Sequence, residues 1–323
     1  MFNLIWMEKS QIKSDLILET LAKPFLKWAG GKTQLLDKFL SFYPAELKNG
    51  EIVNYYEPFI GGGAVFFDVA QRFKIKSALL CDINPELILT WQVIQRDVYN
   101  LIEILHSIKV KYEKLDEVAQ SKFYYEIRNE FNQNLTRIDF SKYSEAWILR
   151  AAQIIFMNKT CFNGLFRFNQ KGEFNVPAGR YKNPKILDEQ NLIKVSELLS
   201  IADIRNAGFE VVESETLKNS FVYFDPPYRP ISKSSSFTSY SKFKFEDVEQ
   251  VRLADLFYRL SKNGIKLMLS NSDPKNVDPD DQFFDEMYQE FNIFRIPARR
   301  MINSNAKKRD AINEIIVTNY SLA

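Results

Sequence analysis

The stretch Gly50–Phe73, "GEIVNYYEPFIGGGAVFFDVAQRF", followed by Lys76–Ile88, "KSALLCDINPELI", decides the fold class. Ile52 to Tyr56 is rich in β-formers and reads as a buried strand. Gly61, Gly62 and Gly63 then allow a tight turn, and Val65 to Phe73 reads as a helix. A second strand ends at Asp82, and Pro85 opens another helix. Strand, helix and strand in this order imply a parallel sheet with helices on its faces. A glycine turn between strand and helix lets a ligand approach the backbone closely. An acidic residue roughly twenty positions later is spaced to reach ribose hydroxyls. The alternative is a plain strand–turn–helix with an aspartate N-cap. The turn is not G-x-G-x-x-G, so a dinucleotide is disfavoured and a nucleoside cofactor stays open.

A second glycine segment lies upstream in Pro24–Leu36, "PFLKWAGGKTQLL". Gly31-Lys32-Thr33 imitates the end of a phosphate-binding loop. That loop needs a glycine where this chain has Leu26, and it follows a strand. Here the preceding "SDLILETLAK" reads as helical, so the phosphate-loop reading fails and "KWAGGK" awaits another use.

The 323 residues suit one large domain or two smaller ones. The formal net charge is only +2, so binding to nucleic acid would need a local basic patch. Two cysteines, Cys81 and Cys161, make no disulfide framework, and the expected setting is reduced and cytoplasmic. One histidine, His106, sits in a helical pattern and reads as exposed, which excludes His-based triads and His-rich metal sites. No run reaches the roughly 18 apolar residues of a membrane span, and the N-terminus lacks the features of a secretory signal.

Further along, the character changes. Residues 98–184 carry helical segments ("NLIEILHSIKVKYEKL", "SKFYYEIRNEFNQ", "SEAWILRAAQIIFMNKT") and then a glycine-punctuated loop and β-hairpin rich in Asn, Arg and aromatics. This block reads as an insert. After Pro184 the α/β pattern resumes: a helix in "LDEQNLIKVSELLS", strands in "ADIRNAGFEVV", "KNSFVYFDPPY", "IKLMLSNS" and "EIIVTNY", and a helix in "FEDVEQVRLADLFYRLSKNG" ending at a C′ glycine, Gly264. The domains expected are an N-terminal extension (1–23), an α/β domain (24–97 and 185–323) and the insert (98–184).

"FVYFDPPY", Phe221 to Tyr228, runs a buried strand straight into Asp225. Pro226 and Pro227 donate no backbone hydrogen bond and stiffen the turn they open. The bland reading is a strand ending in a proline turn. A carboxylate, a fixed carbonyl and an aromatic ring in that order also fit a planar ligand bearing an NH₂ group. Asp225 and the Pro226 carbonyl would accept its hydrogens while Tyr228 stacks on its ring.

With "FLKWAGGK", "EPFIGGG", "DIN", "FNGLFRFNQKGEFNVPAGRY", "DPPY", "FTSYS" and the tail "INSNAKKR…NY" all present, the chain from about Pro24 onward resembles the Dam family of DNA adenine-N6 methyltransferases. The order of cofactor motif, insert and Asp-Pro-Pro-Tyr is that family's α arrangement. The resemblance implies a Rossmann-like S-adenosylmethionine-dependent methyltransferase fold, with a mainly helical DNA-recognition insert carrying a β-hairpin. It implies transfer of a methyl group from S-adenosylmethionine to a flipped-out adenine of double-stranded DNA, at GATC or another GA-containing site. Catalysis would fall to Asp225, Pro226, Pro227 and Tyr228. The cofactor would meet Trp28, Gly30, Gly31 and Lys32, then Glu57, Pro58, Phe59, Gly61 and Gly63, then Asp82, Asn84, Phe209 and Asp225. The family's aspartate before that phenylalanine is replaced here by Gly208. DNA would meet Lys27, Phe162, Asn163, Leu165, Pro177 and Arg180, with Arg167 the guanine reader. Tyr240 would lie near the flipped base. The basic run from Arg295 to Arg309, with Lys307, Lys308 and Arg309, would meet phosphates.

The same resemblance implies no metal, no membrane, and a monomer or weak dimer. A cognate restriction endonuclease is a candidate partner without stable binding, and a solitary enzyme is the alternative. Competing activities are methylation of RNA adenine, cytosine N4 or protein glutamine, or DNA binding without catalysis. Asp225 and the insert favour DNA adenine. Cytosine-C5 chemistry needs an attacking cysteine, usually after proline, and neither cysteine follows one.

Overall fold

The computed structural model describes residues 21–215, 218–229, 245–298 and 312–322. Their strands are β1 (Asn54–Glu57), β2 (Ser77–Asp82), β3 (Ala202–Asn206), β4 (Ser220–Phe224), β5 (Lys266–Ser272), β6 (Asn292–Ala298) and β7 (Ile312–Thr318). They form one sheet in the order β3-β2-β1-β4-β5-β7-β6. Pairs from β3 through β5 are parallel, whereas β7 runs antiparallel to both β5 and β6. The chain winds outward from β1 to β3 on one side and from β4 to β5 on the other. The order therefore reverses between β1 and β4, where open α/β sheets bind their ligands.

The alternation of side chains explains why both faces are covered. Tyr55, Leu80, Phe221, Tyr223 and Met268 enter one buried cluster. Their strand neighbours Tyr56, Leu79, Cys81, Val222, Phe224, Leu267 and Leu269 enter the other. The edge strand β6 includes the first residues of the run from Arg295, for which the bland sequence reading is an exposed loop or strand edge. It carries Pro297, which lacks an N–H and suits only an edge or bulge position.

Helix α1 (Ala64–Arg72) follows the glycine turn, and α2 (Pro85–Glu113) follows β2. Asn84 caps α2 by accepting from Glu86 N (3.1 Å) and Leu87 N (3.3 Å), and Pro85 takes the position where its missing N–H costs nothing. At Asp97 (φ −138°, ψ 40°) the helix bends but continues through the expected insert boundary. Helices α3 (Glu117–Gln133) and α4 (Ala146–Thr160) pack on it in the first cluster. A buried ion pair stitches α4 to the start of α2. Arg150 Nε donates to Glu86 Oε2 at 2.8 Å, its second nitrogen pairs with Oε1, and its third donates to the Phe131 carbonyl at 3.0 Å. Helix α5 (Glu189–Leu198) leads back to the sheet. Helix α6 (Asp247–Lys262) ends with Gly264 at φ 74°, as its pattern predicts.

The hairpin of the insert is present in minimal form, as two isolated antiparallel bridges, Cys161↔Ala178 and Phe168↔Phe174. Tyr124, Arg128 and Asn132 recur at i, i+4 and i+8 on α3, so they share one helical face. They hold the Val176 carbonyl (2.8 and 3.1 Å) and the Phe174 backbone (2.8 and 3.1 Å). Side chains thus bind backbone groups that a longer ladder would use. "ADIRNAGFEVV" is strand only to Asn206, and Val211–Glu215 is a short helix.

Candidate active site

Asp225 stands at the C-terminal end of β4, beside the end of β1. Its Oδ1 accepts from Lys32 Nζ at 2.5 Å and from Ser270 Oγ at 3.3 Å, and Ser270 in turn meets the Tyr223 hydroxyl at 2.7 Å. Lys32 is 2 % exposed, also donates to the Gly30 carbonyl (2.9 Å), and lies 4.9 Å from the Tyr228 ring centroid. The short helical turn Lys32–Gln34 buries this lysine, which a phosphate loop would point at a ligand from its glycine-rich strand end. "KWAGGK" thus delivers a cation to the "DPPY" carboxylate.

Burial pushes Asp225 above the usual carboxylate range, and Lys32 pulls against that shift. Glu57, at the end of β1, accepts from Tyr55 Oη at 2.7 Å and is lifted strongly by burial. Glu314, on β7, is lifted by burial as well, with Lys32 opposing. Three buried or nearly buried carboxyls therefore face one ammonium. The turn after Asp225 is pinned from α6, where the fully buried Gln250 donates to the Pro227 carbonyl at 3.1 Å. Arg229 anchors its far side on Asp247 (2.7 and 3.0 Å) and Asp281 (2.7 Å). The Tyr228 hydroxyl is buried without a hydrogen-bond partner, as is Glu314 Oε2. Leaving such a group unsatisfied costs on the order of 1–3 kcal/mol.

At the glycine turn, Asp82 accepts from Asn84 N through Oδ1 (2.9 Å) and from Gly61 N through Oδ2 (3.2 Å). Desolvation lifts its pKa to about 6. The helix cap is Asn84, whose side-chain oxygen is used there, so the aspartate-cap alternative is excluded and Asn84 acts on the backbone through that oxygen. Gly63 has φ 71°, and a Cβ there would lie 2.4 Å from the fully buried Trp91. Trp91 donates to the Gly61 carbonyl at 3.2 Å, and a Cβ on Gly61 would strike Trp28 at 2.6 Å. Two tryptophans therefore clamp the turn. Phe59, next to Pro58, stacks on Phe209 at 5.6 Å, with Phe245 edge-on to both. The Glu210 carboxylate lies 2.8 Å from where a Cβ at Gly208 would stand.

Among the described residues, Lys27 and the segment Phe162–Leu165 with Pro177 meet where the insert packs on "KWAGGK". Fully buried Asn158 accepts from Lys27 N (2.7 Å) and donates to the Lys27 carbonyl (3.0 Å) and the Gly164 carbonyl (2.9 Å). Phe162 and Asn163 are exposed and Leu165 half-buried. Phe162 N donates to the Pro177 carbonyl (2.9 Å), which joins the two arms of the insert loop. Lys27 Nζ lies 4.2 Å from the Tyr181 ring centroid. Arg167 donates to Asn175 Oδ1 (2.7 Å) and to its carbonyl (3.2 Å), while Arg180 is exposed. Arg295 departs from expectation. It is held by Asp273 (3.0 Å) and Asp285 (2.7 and 2.9 Å), so these carboxylates rather than phosphates take its guanidinium. Tyr240, Lys307, Lys308 and Arg309 lie outside the described residues, as do residues 1–20 of the extension.

The family model described as D12 class N6 adenine-specific DNA methyltransferase matches residues 28–302. The chain belongs to the D12 class of adenine-N6 DNA methyltransferases. Its sheet is accordingly a Rossmann-like methyltransferase fold. The chain is 51 % identical to the type II methyltransferase M.MjaIII of Methanocaldococcus jannaschii, over 92 % of its own length and 99 % of that relative. It is 40 % identical to the type II methyltransferase M1.LlaDCHI of Lactococcus lactis, over 92 % and 95 %. It is 32 % identical to the DNA adenine methylase of Salmonella typhi, over 91 % and 94 %.

In this methyltransferase, Asn158, Gln250, Arg229 and Glu314 stand beside the candidate site and were not singled out from the sequence. Each acts through tertiary contacts and lies outside the motifs. A polar residue inside an apolar helix pattern, as with Asn158 in "AAQIIFMNKT", is the one signal that could have found such a residue.

Proposed function

We propose that this D12 enzyme transfers methyl groups from S-adenosylmethionine to N6 of a flipped-out adenine in double-stranded DNA, using Asp225, Pro226, Pro227 and Tyr228. The observation that carries this reading is Asp225 at the sheet's switch point, bonded to Lys32 and set beside the Tyr228 ring. The residues fit the cofactor. Asp82 ends β2 with a desolvated carboxyl suited to ribose hydroxyls, the turn Gly61–Gly63 is clamped beneath it, and Phe59 with Phe209 offers an aromatic wall for a purine. Trp28, Gly30, Gly31, Lys32, Glu57, Pro58, Asp82 and Asn84 would shape the rest of that site. When bound, the sulfonium supplies an electrophilic methyl group.

The protein's part is positional and electrostatic. The adenine N6 lone pair is delocalised into its ring. Accepting the two N6 hydrogens at Asp225 and the Pro226 carbonyl favours a tetrahedral nitrogen whose lone pair leaves the ring plane. Lys32 and Ser270 both occupy Oδ1, which leaves Oδ2 for the amine. Even lifted by burial, the Asp225 carboxylate is too weak a base for a neutral aromatic amine. Proton loss therefore follows transfer, from a cationic nitrogen. Stacking on Tyr228 offsets part of the cost of unstacking the base, on the order of a few kcal/mol.

Residues 98–184 would read the DNA. Lys27, Phe162, Asn163, Leu165 and Pro177 line the junction, Arg167 reads a guanine, and Arg180 meets phosphate. The names of the type II relatives support a protective role beside a restriction nuclease. A GATC or other GA-containing target is the expected site. Two measurements test this. Sequencing of methylated bases after expression in a methylation-free host should reveal N6-methyladenine in one such motif. Asp225→Asn should abolish that signal while still binding the cofactor. Transfer by the variant within tenfold of wild type in single turnover removes Asp225 from the mechanism.

A further inference from the structure

Glu314 is a buried carboxyl that no motif assigns, yet it stands in the transfer site. On the antiparallel pair β5–β7 it lies directly opposite Ser272. Opposed residues share a face of the sheet, and so do residues two apart on a strand. Glu314 therefore projects to the same side as Ser270, which donates to Asp225. Its residue is 8 % exposed, and no ion pair holds it among the described residues. Oε2 is buried and lacks a hydrogen-bond partner. The nearest explanation is the Tyr228 hydroxyl, a buried donor that also lacks one. The two act on each other: Glu314 pushes the tyrosine's pKa up, and the tyrosine draws Glu314's down. Lys32 faces both, with its ammonium 4.9 Å from the ring centroid.

We propose that Glu314 is a positioning residue of the transfer site, accepting the Tyr228 hydroxyl so that the ring on which the target adenine stacks stands at a fixed tilt beside Lys32 and Asp225. This rests on the reading of Tyr228 as the stacking platform. A ring anchored only by packing can swing about its Cα–Cβ bond. A ring whose hydroxyl is held from β7, an interior strand of the sheet, cannot, and the stacked base is then presented to the methyl donor in one place. The glutamate acts through the tyrosine and touches neither cofactor nor base.

The test compares the full-length enzyme with Tyr228→Phe, Glu314→Leu, the double variant and Tyr228→Ala. Each is assayed for tritium transfer from labelled S-adenosylmethionine to unmethylated plasmid DNA, and for cofactor affinity by calorimetry. Tyr228→Phe and Glu314→Leu should each lower kcat by about tenfold, with cofactor affinity within about twofold. The double variant should be no slower than the slower single one, because one removes the donor and the other the acceptor of the same contact. Multiplying losses in the double variant overturn the proposal. So does Tyr228→Phe within about twofold of wild type, whatever Glu314→Leu does to folding. If Tyr228→Ala is itself unimpaired, the stacking platform fails first, and the two failures are told apart.

Discussion

Arg150→Met removes one partner of the buried pair that joins α4 to α2, and the size of its effect is set by pH. Glu86 is 7 % exposed at the side chain and Arg150 2 %, so the carboxylate left behind cannot turn to water. Its escape is to take up a proton on folding. An unfolded glutamate ionises at about 4.3, and each pH unit above that adds about 1.4 kcal/mol to the cost of holding it neutral. The penalty is therefore about 3.7 kcal/mol at pH 7 and about 1 kcal/mol at pH 5. Loss of the donor to the Phe131 carbonyl adds about 1 kcal/mol at either pH. So does loss of the guanidinium 3.7 Å from the Phe131 ring centroid.

The sign comes from proton counts. In the variant the folded chain holds a proton that the unfolded chain releases above about 4.3, so stability falls as pH rises. In the wild type burial also lifts Glu86, but the guanidinium pulls against that lift, so the slope is shallower. Urea unfolding followed by tryptophan fluorescence at pH 5 and pH 7 reads the difference. The gap between wild type and variant should shrink at the lower pH by at most about 2.7 kcal/mol, less the wild type's own shallower change. An equal gap at both pH values would falsify the assignment of Glu86 as the uncompensated charge.

Other outcomes are open to direct measurement. Asp82 titrates near pH 6 in the free protein, and ribose hydroxyls bond best to its ionised form. Cofactor affinity should therefore rise from pH 5 to pH 7 with release of a proton, and Asp82→Ala should remove that dependence; calorimetry in buffers of different ionisation enthalpy checks it. Gly63→Ala places a Cβ against Trp91 in a left-handed backbone, and should cost about 2–4 kcal/mol in thermal or urea unfolding. Arg167→Ala should compress the rate ratio between cognate and single-substituted sites, by about 1–3 kcal/mol of discrimination. Arg180→Ala should slow all sites alike and reduce the salt slope by about one unit, so uniform loss in both variants would remove the insert loop as reader.

Much of this site was legible because its chemistry is local. The strand, glycine turn, helix and second strand from β1 to β2 follow from periodicity and punctuation within a few dozen residues. Asp225 and the two prolines announce themselves at the end of a buried run. Contacts that hold these pieces together span the chain instead. Arg150 meets Glu86 across 64 positions, and Asn158 meets Lys27 across 131. Arg150 and Glu86 leave no mark on either segment's own pattern, and Asn158 shows only as a polar residue in an apolar run, with nothing to name its partner. The shortness of the hairpin has the same cause, since Tyr124, Arg128 and Asn132 look like ordinary helix residues until α3 is laid beside the loop. Asn84 taking the cap from Asp82 is subtler, because both residues have the chemistry and only the backbone path chooses.

The Asn158 amide bears on how such enzymes can acquire new targets. It holds the backbone of Lys27 with one hand and the carbonyl of Gly164 with the other, so the insert loop is not a cassette fastened at its two chain ends. A transplanted loop from a relative would be moored at its middle by whichever residue the junction leaves at position 158. Chimeras cut after Thr160 should keep the host's docking point. Those cut before Asn158 should import a foreign one, together with whatever angle it imposes on the segment that runs to Lys32.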